Sequence, residues 1–323
     1  MKLFRKKRIY FDFAAATPIL PEVKSEMEKY WAKDFYNPNA IYEEGIKIKL
    51  EVGKFRKRIA EITGARVGGV IFTSGGTEAN VLAIRGVKLG KIIVEPDSHP
   101  TLLETVLENN SEEITLISSP TRENKLGRRI REERKKNNSP YPLLHIDASQ
   151  SALYFDIGLE TLACDLLSLD ASKLYGPKGV GALVVRHGVE LKLPPRGTPP
   201  VPLIAGFVKA LEIRVRDRES ERVRLNPLRQ EFILLIRETH PSIEIKEEEP
   251  NIVHVSIPGI LPELLALALD RAGVLVSVGP ACTSSKPEPD GTPIRFSFGR
   301  TTTRKDIQEG AKIFCKVAKD LVK

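Results

Sequence analysis

Short apolar runs alternate with amphipathic stretches along the chain as far as Pro195. Apolar residues that recur at every third or fourth position predict a long helix over 45–63, and the apolar runs predict buried strands. The predicted strands are 70–73, 91–94, 114–118, 144–147, 167–169 and 181–185. Strands that alternate with helices in this way predict an α/β domain, in which helices cover both faces of a mostly parallel sheet.

The pattern changes after the Pro- and Gly-rich stretch 193–202. The elements predicted beyond it are helices at 201–226, 227–238, 262–272 and 305–322 and strands at 252–257, 274–277 and 294–297. We therefore expect a large domain over 21–205 and a small α+β domain over 206–323. We also expect an N-terminal segment, 1–20, that packs with the small domain.

The composition is typical of an ordinary globular protein, because 41% of the 323 residues are hydrophobic and 28% are charged. No segment approaches the ~18–20 apolar residues that span a bilayer, and no signal peptide is indicated, so no membrane partner is expected. Cys164, Cys282 and Cys315 have the spacing of neither a disulfide framework nor a zinc site. We therefore expect a cytoplasmic protein that holds no metal.

The formal net charge is +8, and much of the positive charge lies in three basic runs, 2–8, 128–136 and 214–224. Such runs form either solvated helix faces or a surface for nucleic acid or an acidic partner. The first interpretation is favoured, because no aromatic residues interleave with the basic ones and no nucleic-acid-binding motif is present. No direct binding to nucleic acid is expected.

Two charged residues at the ends of apolar runs indicate the chemistry. Asp147 ends the run that begins at Tyr141, and Lys173 ends the run that begins at Asp165. Two short strands would deliver both side chains to the same edge of a sheet. An acid and a lysine in this relation suit pyridoxal 5′-phosphate (PLP): the lysine forms a Schiff base with the aldehyde, and the acid keeps the pyridinium nitrogen protonated.

A glycine-rich turn over 73–80 follows a strand and opens a helix. Glycines allow the backbone to approach an anion, and a helix N-terminus offers free N–H groups to it. The predicted phosphate ligands are the amides of Gly76 and Thr77 and the Thr77 hydroxyl. Taken alone, the turn fits a strand-to-helix connection with a capping Ser or Thr somewhat better, and the Asp147–Lys173 pair shifts the balance to the phosphate.

His99 and Gln150 complete the predicted surroundings of the cofactor ring. His99 precedes Pro100 at a predicted helix start, where a lone His fits a cap or a surface position. Beside PLP its imidazole would stack on the ring and take part in proton transfer. Gln150 is assigned to the ring hydroxyl and Asp147 to the ring nitrogen, although Asp147 alone also fits a helix N-cap.

Cys282 and Arg295 are the candidate residues for the substrate. Cys282 lies in a polar segment rich in turn-forming residues, where a cysteine is better explained as a nucleophile than as core. Cys164 and Cys315 lie in apolar surroundings and are interpreted as core. The planar guanidinium of Arg295 suits a bidentate grip on a carboxylate, with a surface ion pair as the alternative role and Arg300 as a competing candidate.

Together these residues resemble the cysteine desulfurases, in the class V branch of fold-type I PLP enzymes. The matching segments follow the family's order: YFDFAAATP at 10–18, NPNAIYEEG at 37–45, FTSGGTEAN at 72–80, GPACTS at 279–284 and IRFSFGRTTT at 294–303. The resemblance implies an α/β fold-type I architecture, with a mostly parallel sheet of the seven-stranded type in the large domain and a small α+β domain.

The resemblance also implies roles for residues that the chain's own pattern does not single out. Asn124 would lie near the cofactor and, with Arg295, hold the substrate carboxylate. Ser172 would donate one hydrogen bond to the phosphate, and Thr198 would reach the phosphate of a partner subunit. The chain departs from the family's Ser-x-His-Lys sequence by placing Asp170 where the Ser stands. Since a carboxylate repels a phosphate, Asp170 either points away or alters phosphate binding.

The implied reaction converts L-cysteine to L-alanine with PLP and leaves a persulfide on Cys282, while Lys173 and His99 move protons. The sulfur would pass to an acceptor protein, either an iron–sulfur scaffold or a tRNA-thiolation enzyme, and the enzyme would be a homodimer with shared active sites. Two alternatives stay open. One is another class V PLP enzyme, such as an aminotransferase or a selenocysteine lyase. The other is a diverged, weakly active homologue that serves as a binding partner.

Overall fold

The computed structural model describes residues 8–96, 98–106, 111–195, 197–238, 243–248, 250–279 and 293–321. Its helices are α1 (Pro21–Glu28), α2 (Glu43–Thr63), α3 (Gly76–Gly86), α4 (Pro100–Thr105), α5 (Lys125–Asn137), α6 (Val201–Arg237), α7 (Pro262–Ala272) and α8 (Arg304–Leu321). Its strands are β1 (Ile9–Tyr10), β2 (Val70–Thr73), β3 (Lys91–Val94), β4 (Ile114–Ser119), β5 (Leu143–Asp147), β6 (Leu166–Asp170), β7 (Gly181–Val185), β8 (Glu244–Glu248), β9 (Ile252–Ser256), β10 (Val274–Leu275), β11 (Ser277–Val278) and β12 (Ile294–Ser297).

One compact unit, Pro18–Arg216, is built on a six-stranded sheet with the strand order β2-β7-β6-β5-β4-β3. Strands β3 to β6 are parallel, and β7 runs antiparallel to both of its neighbours. The mostly parallel α/β sheet is therefore confirmed, and the described residues supply six strands where the resemblance implies the seven-stranded type. Strand β7 is buried along its whole length, as expected for a strand with covered faces.

A polar ladder crosses the middle of this sheet. His145 of β5 is fully buried, with Nδ1 2.8 Å from Ser118 Oγ and Nε2 2.9 Å from Ser168 Oγ. Burial lowers the pKa of His145 to about 4, so the imidazole is neutral near pH 7. The ladder ties β4, β5 and β6 together just before the ends of β5 and β6, where Asp147 and Asp170 lie.

The second compact unit combines the described residues of Met1–Thr17 with those of Asp217–Lys323. It contains an antiparallel sheet with the strand order β11-β12-β9-β8, a short parallel pair of β1 with β10, and helices α7 and α8. Its core is aromatic: the rings of Phe11 and Phe298 lie 4.9 Å apart, and those of Phe232 and Phe296 lie 4.8 Å apart. This unit has the α+β character that was predicted.

Helix α6 differs from its prediction, because the two helices expected at 201–226 and 227–238 form one continuous helix. Pro227 lies inside α6 and is exposed. The backbone carbonyl left unpaired by the missing proline N–H can therefore bond to water, which reduces the cost of a proline in a helix. The two units divide at Arg216 within this helix. The predicted domain boundaries, including the segment 1–20 that begins before the described residues, stay predictions.

Candidate active site

The side chain of Asp147 lies at the carboxyl end of β5 and is held by two donors. Its Oδ1 accepts from the Ser149 backbone N–H at 3.0 Å, and its Oδ2 accepts from Asn80 Nδ2 at 2.8 Å. Burial raises the pKa of Asp147, but the hydrogen bonds from Ser149 and Asn80 outweigh it, and the pKa lies below its usual value. The carboxylate is therefore charged at neutral pH and suited to accept a hydrogen bond from the N–H of a cationic ring.

Three buried polar atoms, two of them on residues that contact Asp147, lack hydrogen-bond partners among the described residues. They are Gln150 Oε1, Ser149 Oγ and Asn80 Oδ1. The Ser149 hydroxyl lies close enough to help lower the pKa of Asp147, yet it meets no partner with normal hydrogen-bond geometry. Because buried polar groups are almost always paired, this cluster indicates the place of a polar ligand.

His99 is both the N-cap of α4 and a neighbour of the charged groups. Its Nδ1 accepts from the Thr101 backbone N–H at 3.0 Å, so the neutral ring carries its proton on Nε2. Burial lowers the pKa of His99, although Asp147 raises it, and Lys173 lowers it further. The ring is therefore neutral at pH 7, and its Nε2–H is the group available for donation.

Lys173 closes a short 3-10 turn that follows β6 directly. Asp170 caps this turn by accepting from the Ser172 backbone N–H at 2.8 Å. The Lys173 side chain is partly buried, and its ammonium group makes no hydrogen bond or ion pair with another described residue. The backbone turn thus places the side chain, and no described residue engages its amino group, which suits covalent attachment of an aldehyde.

The N-terminus of α3 approaches the end of β6 closely. The Gly76 backbone N–H donates to Asp170 Oδ2 at 3.1 Å. A Cβ at Gly76 would lie 2.5 Å from Ser149 Oγ, so any other residue here would displace the Ser149 side chain. Thr77, the next residue, is exposed.

Asp170 does not point away from the predicted phosphate ligands. Its Oδ1 accepts from both the backbone N–H and the hydroxyl of Ser172, at 2.8 and 2.7 Å. With the bond from Gly76, the carboxylate therefore has three donors. Asp170 lies among the same groups, Gly76 and Ser172, that the sequence assigns to the phosphate.

Arg295 belongs to the second unit. It is 2% exposed, its Nη2 lies 3.0 Å from Asp12 Oδ1, and its Nε has no partner among the described residues. The ion pair considered as an alternative role is formed, but it is buried rather than on the surface. Arg300 pairs with Asp217 at 2.8 Å. Cys282 lies outside the described residues.

The fold thus places most of the predicted cofactor residues at one edge of the parallel sheet. Asp147 and Gln150 follow β5, Ser172 and Lys173 follow β6, and Gly76 contacts Asp170. Asn124 directly precedes α5, and its side chain makes no capping hydrogen bond. Thr198 is exposed. The roles of all these residues stay predictions.

Two residues of this edge escaped the sequence interpretation, namely Asn80 and Ser149. Asn80 lies one helical turn after Gly76, so both residues are on the face of α3 that meets the strand ends. That spacing was a usable signal for Asn80. Ser149 had no comparable signal, because only the packing shows that its hydroxyl is enclosed without a partner.

The residues present fit the ring of PLP well and its phosphate only in part. A charged Asp147, an unpaired Gln150 oxygen, the neutral His99 and the available Lys173 amine suit the ring and aldehyde. The phosphate would meet the carboxylate of Asp170. No set of three or more His, Cys, Asp or Glu side chains in the described ranges could hold a metal ion. None of the described helices is long and apolar enough to cross a membrane.

Comparison with known proteins gives the same family. The family model "Aminotransferase class-V" matches residues 9–117, 85–196 and 196–309. The chain is 32% identical to the cysteine desulfurase IscS of Dictyoglomus turgidum, over 94% of this chain and 92% of the relative. Two solved structures share the fold: a NifS-like protein (TM-score 0.84, 24% identity, 97% of this chain and 100% of the other) and a NifS-like protein from Rickettsia africae (0.83, 21%, 97% and 99%). The chain therefore belongs to the class V aminotransferase family and, within it, to the PLP-dependent cysteine desulfurases.

Proposed function

We propose that this protein converts L-cysteine to L-alanine and retains the sulfur as a persulfide on Cys282. The observation that carries the proposal is the ionised Asp147 at the end of β5, with a buried, unpaired Gln150 oxygen three residues later and Lys173 after the adjacent strand. An aminotransferase would share this arrangement. Cys282 in its turn-rich segment favours desulfuration, since an aminotransferase has no need of a thiol there.

PLP, when bound, supplies an electron sink that labilises the bonds around the substrate's α-carbon. Lys173 would hold it through the amino group, Asp147 would accept the ring N–H, and Gln150 would pair with the ring hydroxyl. The groups assigned to the phosphate are Gly76, Thr77 and Ser172, with Thr198 from a partner subunit. Asp147 keeps its charge because Asn80 and Ser149 donate to it, so it would stabilise the protonated form of the ring nitrogen.

The substrate's carboxylate is assigned to Arg295 and Asn124. Arg295 is already ordered by Asp12, so its guanidinium loses little freedom when it binds. Lys173 is the base that moves the substrate's α-proton, and His99 offers its Nε2–H to the same region. Because Nδ1 accepts from Thr101, the neutral ring acts here as a hydrogen-bond donor through Nε2–H, and proton transfer through His99 would pass by this nitrogen.

Cys282 is assigned to the transfer of sulfur. Its thiolate attacks the substrate sulfur: a sulfur–sulfur bond forms, the carbon–sulfur bond breaks, and the electron pair stays with the substrate carbon, which is then protonated. L-cysteine and one thiol thus give L-alanine and one persulfide. Cys164 is no substitute, because burial raises the pKa of its thiol to about 12.

The persulfide sulfur passes to an acceptor protein in this proposal. An iron–sulfur scaffold and a tRNA-thiolation enzyme both accept sulfur at this oxidation level, and iron–sulfur cluster assembly is the role we favour. A persulfide is reduced by cellular thiols, so direct transfer between proteins protects it. The cytoplasm is the proposed location, in keeping with three cysteines whose spacing is not that of a disulfide framework.

We further propose a homodimer, which an exposed apolar patch on the first unit supports. The patch consists of Trp31, Phe35, Ile41, Tyr42, Ile46 and Leu50, and Ile41 is 94% exposed. All six exposed apolar side chains belong to the stretch 31–50, and concentrations of exposed apolar surface mark interaction sites. Sedimentation at micromolar concentration should give twice the mass of one chain, and a monomer would contradict the assembly.

The test of the proposed reaction is a comparison of Cys282→Ala with wild-type protein. PLP-loaded wild type should release alanine and, with a thiol reductant, sulfide from L-cysteine. Cys282→Ala should retain the cofactor's visible absorbance and lose both products. The matched control is Cys315→Ala, which removes a partly exposed thiol and should leave both products unchanged. Alanine formation that survives in Cys282→Ala would refute the persulfide route.

A further inference from the structure

The carboxylate of Asp170 lies where a phosphate is expected to bind. We propose that Asp170 is an internal anion that competes with the phosphate of PLP for the N-terminus of α3. The inference rests on the proposed function, because it concerns the cofactor of that reaction. It implies that this enzyme holds PLP mainly through the ring and Lys173 and only weakly through the phosphate.

The contacts of Asp170 are those of a bound anion. Its two oxygens accept from the Gly76 N–H, the Ser172 N–H and the Ser172 hydroxyl, at 3.1, 2.8 and 2.7 Å. The first of these donors is the first residue of an eleven-residue helix. The N-terminus of a helix carries a partial positive charge and binds anions. Asp170 therefore provides, from within the chain, the interaction that a phosphate oxygen would make.

Ser149 gives a second and independent indication that this place is built for a ligand. Its side chain is 7% exposed, and its hydroxyl makes no hydrogen bond of normal geometry with a described residue, although it lies close enough to Asp147 to lower the pKa of that carboxyl. The hydroxyl faces Gly76, because a Cβ on Gly76 would lie only 2.5 Å from it. Asp170 makes no hydrogen bond with this hydroxyl. The Ser149 hydroxyl is therefore a polar group at this helix end that the Asp170 carboxylate does not satisfy.

A phosphate and a carboxylate cannot both bind here at full strength. Two anions within a few ångströms repel each other, and each disfavours the charged form of the other. Gly76 has a single N–H, which Asp170 occupies. Phosphate binding therefore requires Asp170 to give up this bond or to share the helix end. Either event lowers the affinity for PLP, and neither affects pyridoxal, which lacks the phosphate.

The experiment compares dissociation constants for PLP and pyridoxal, measured from the visible absorbance of the Lys173 adduct. Asp170→Ser removes the charge and keeps a residue that caps turns well. It should bind PLP about tenfold more tightly, which corresponds to about 1.4 kcal/mol, and pyridoxal within about twofold of wild type. Asp156→Asn is the matched control: Asp156 is exposed and caps Gly158 in the same way, at 2.8 Å. It should change neither constant.

Asp170→Asn provides a second variant that preserves the shape of the side chain, in case Asp170→Ser folds poorly. The inference is overturned if removal of the charge weakens PLP binding, or changes PLP and pyridoxal affinity equally. That result would make Asp170 a structural cap, and the proposed function would stand. A wild-type protein that forms no adduct with either aldehyde would overturn the proposed function and this inference together.

Discussion

Asp147 and Asp170 occupy equivalent places on adjacent parallel strands, and their local geometry is nearly the same. Each ends its strand, and each accepts from the backbone N–H two residues later, at 3.0 and 2.8 Å. Each also accepts from α3, Asp147 from the Asn80 side chain and Asp170 from the Gly76 backbone. The two aspartates differ in the donor that α3 provides. Asp147 accepts from a side-chain amide, whereas Asp170 accepts from the backbone amide at the helix N-terminus.

That difference decides the role of each carboxylate. The Asn80 amide is not among the groups assigned to the cofactor. Its bond to Asp147 therefore stabilises a charge beside the predicted ring site without removing a donor from the ligand. The Gly76 N–H is an anion-binding group, so its bond to Asp170 removes a group from the phosphate. Two aspartates with the same capping geometry are thus expected to have opposite effects on the cofactor.

The largest effect is expected for Asp147→Asn. This change removes the charge and keeps the shape, so the ring nitrogen loses a charged hydrogen-bond partner, which contributes about 1.5–3 kcal/mol. Affinity for PLP and for pyridoxal should both fall by about 10- to 100-fold, and alanine formation should fall with them. Absorbance titration and an alanine assay measure the two effects.

The contrast with Asp170 provides the control for this prediction. Asp170→Asn should tighten PLP alone, whereas Asp147→Asn should weaken both aldehydes. If Asp147→Asn left pyridoxal binding unchanged, Asp147 would not contact the ring, and the comparison between the two carboxylates would lose its basis.

A smaller effect, on stability, is expected for Asn80→Ala. This change removes the hydrogen bond that Asn80 donates to the charged Asp147 carboxylate. It should lower the free energy of unfolding by about 1.5–3 kcal/mol at pH 7. The pKa of Asp147 is depressed in the folded protein, so the stabilisation is full above the unfolded pKa of about 3.9 and is lost as the pH falls through the folded pKa. The difference from wild type should therefore shrink at pH 3. Urea unfolding of both proteins at pH 7 and pH 3 measures this difference in the free energy of unfolding.

Asn39→Ala is the matched control for this change, since Asn39 is exposed. It should alter the free energy of unfolding by less than about 0.5 kcal/mol at either pH. An Asn80→Ala deficit that is the same at pH 3 as at pH 7 would mean that Asn80 stabilises α3 and not the charge of Asp147.

Much of the fold could be predicted because the central strands are continuous apolar runs. Strands β5 and β6 are buried on both faces, which their sequences show directly. Helix α5 was indicated only by the basic run 128–136, for which a solvated helix face was favoured, because the helix has only three buried residues. Strand β8 was not predicted, because the charged residues of its sequence, EIKEE, hide the alternation. An edge strand of this kind depends on pairing with β9, which local sequence does not reveal.

The candidate site was predictable only where a residue type implies its chemistry. Lysine and aspartate at strand ends indicate PLP, and the structure brings Lys173 and Asp147 close enough for both to act on His99. The contact between Gly76 and Asp170 spans 94 positions in the chain, and the unpaired Ser149 hydroxyl depends on packing. Neither contact has a local signature in the sequence. The sequence therefore shows that Asp170 departs from the family pattern, but not whether its side chain points toward the phosphate ligands.

The position of Trp31 has a practical consequence for spectroscopy. Trp31 is the chain's only tryptophan, and it is 59% exposed within the apolar patch described above. The emission maximum of tryptophan depends on its contact with water, so intrinsic fluorescence will respond when another surface covers that patch. It is thus an internal probe of subunit association, separate from the absorbance of the cofactor. One sample can therefore report assembly and cofactor loading at two different wavelengths.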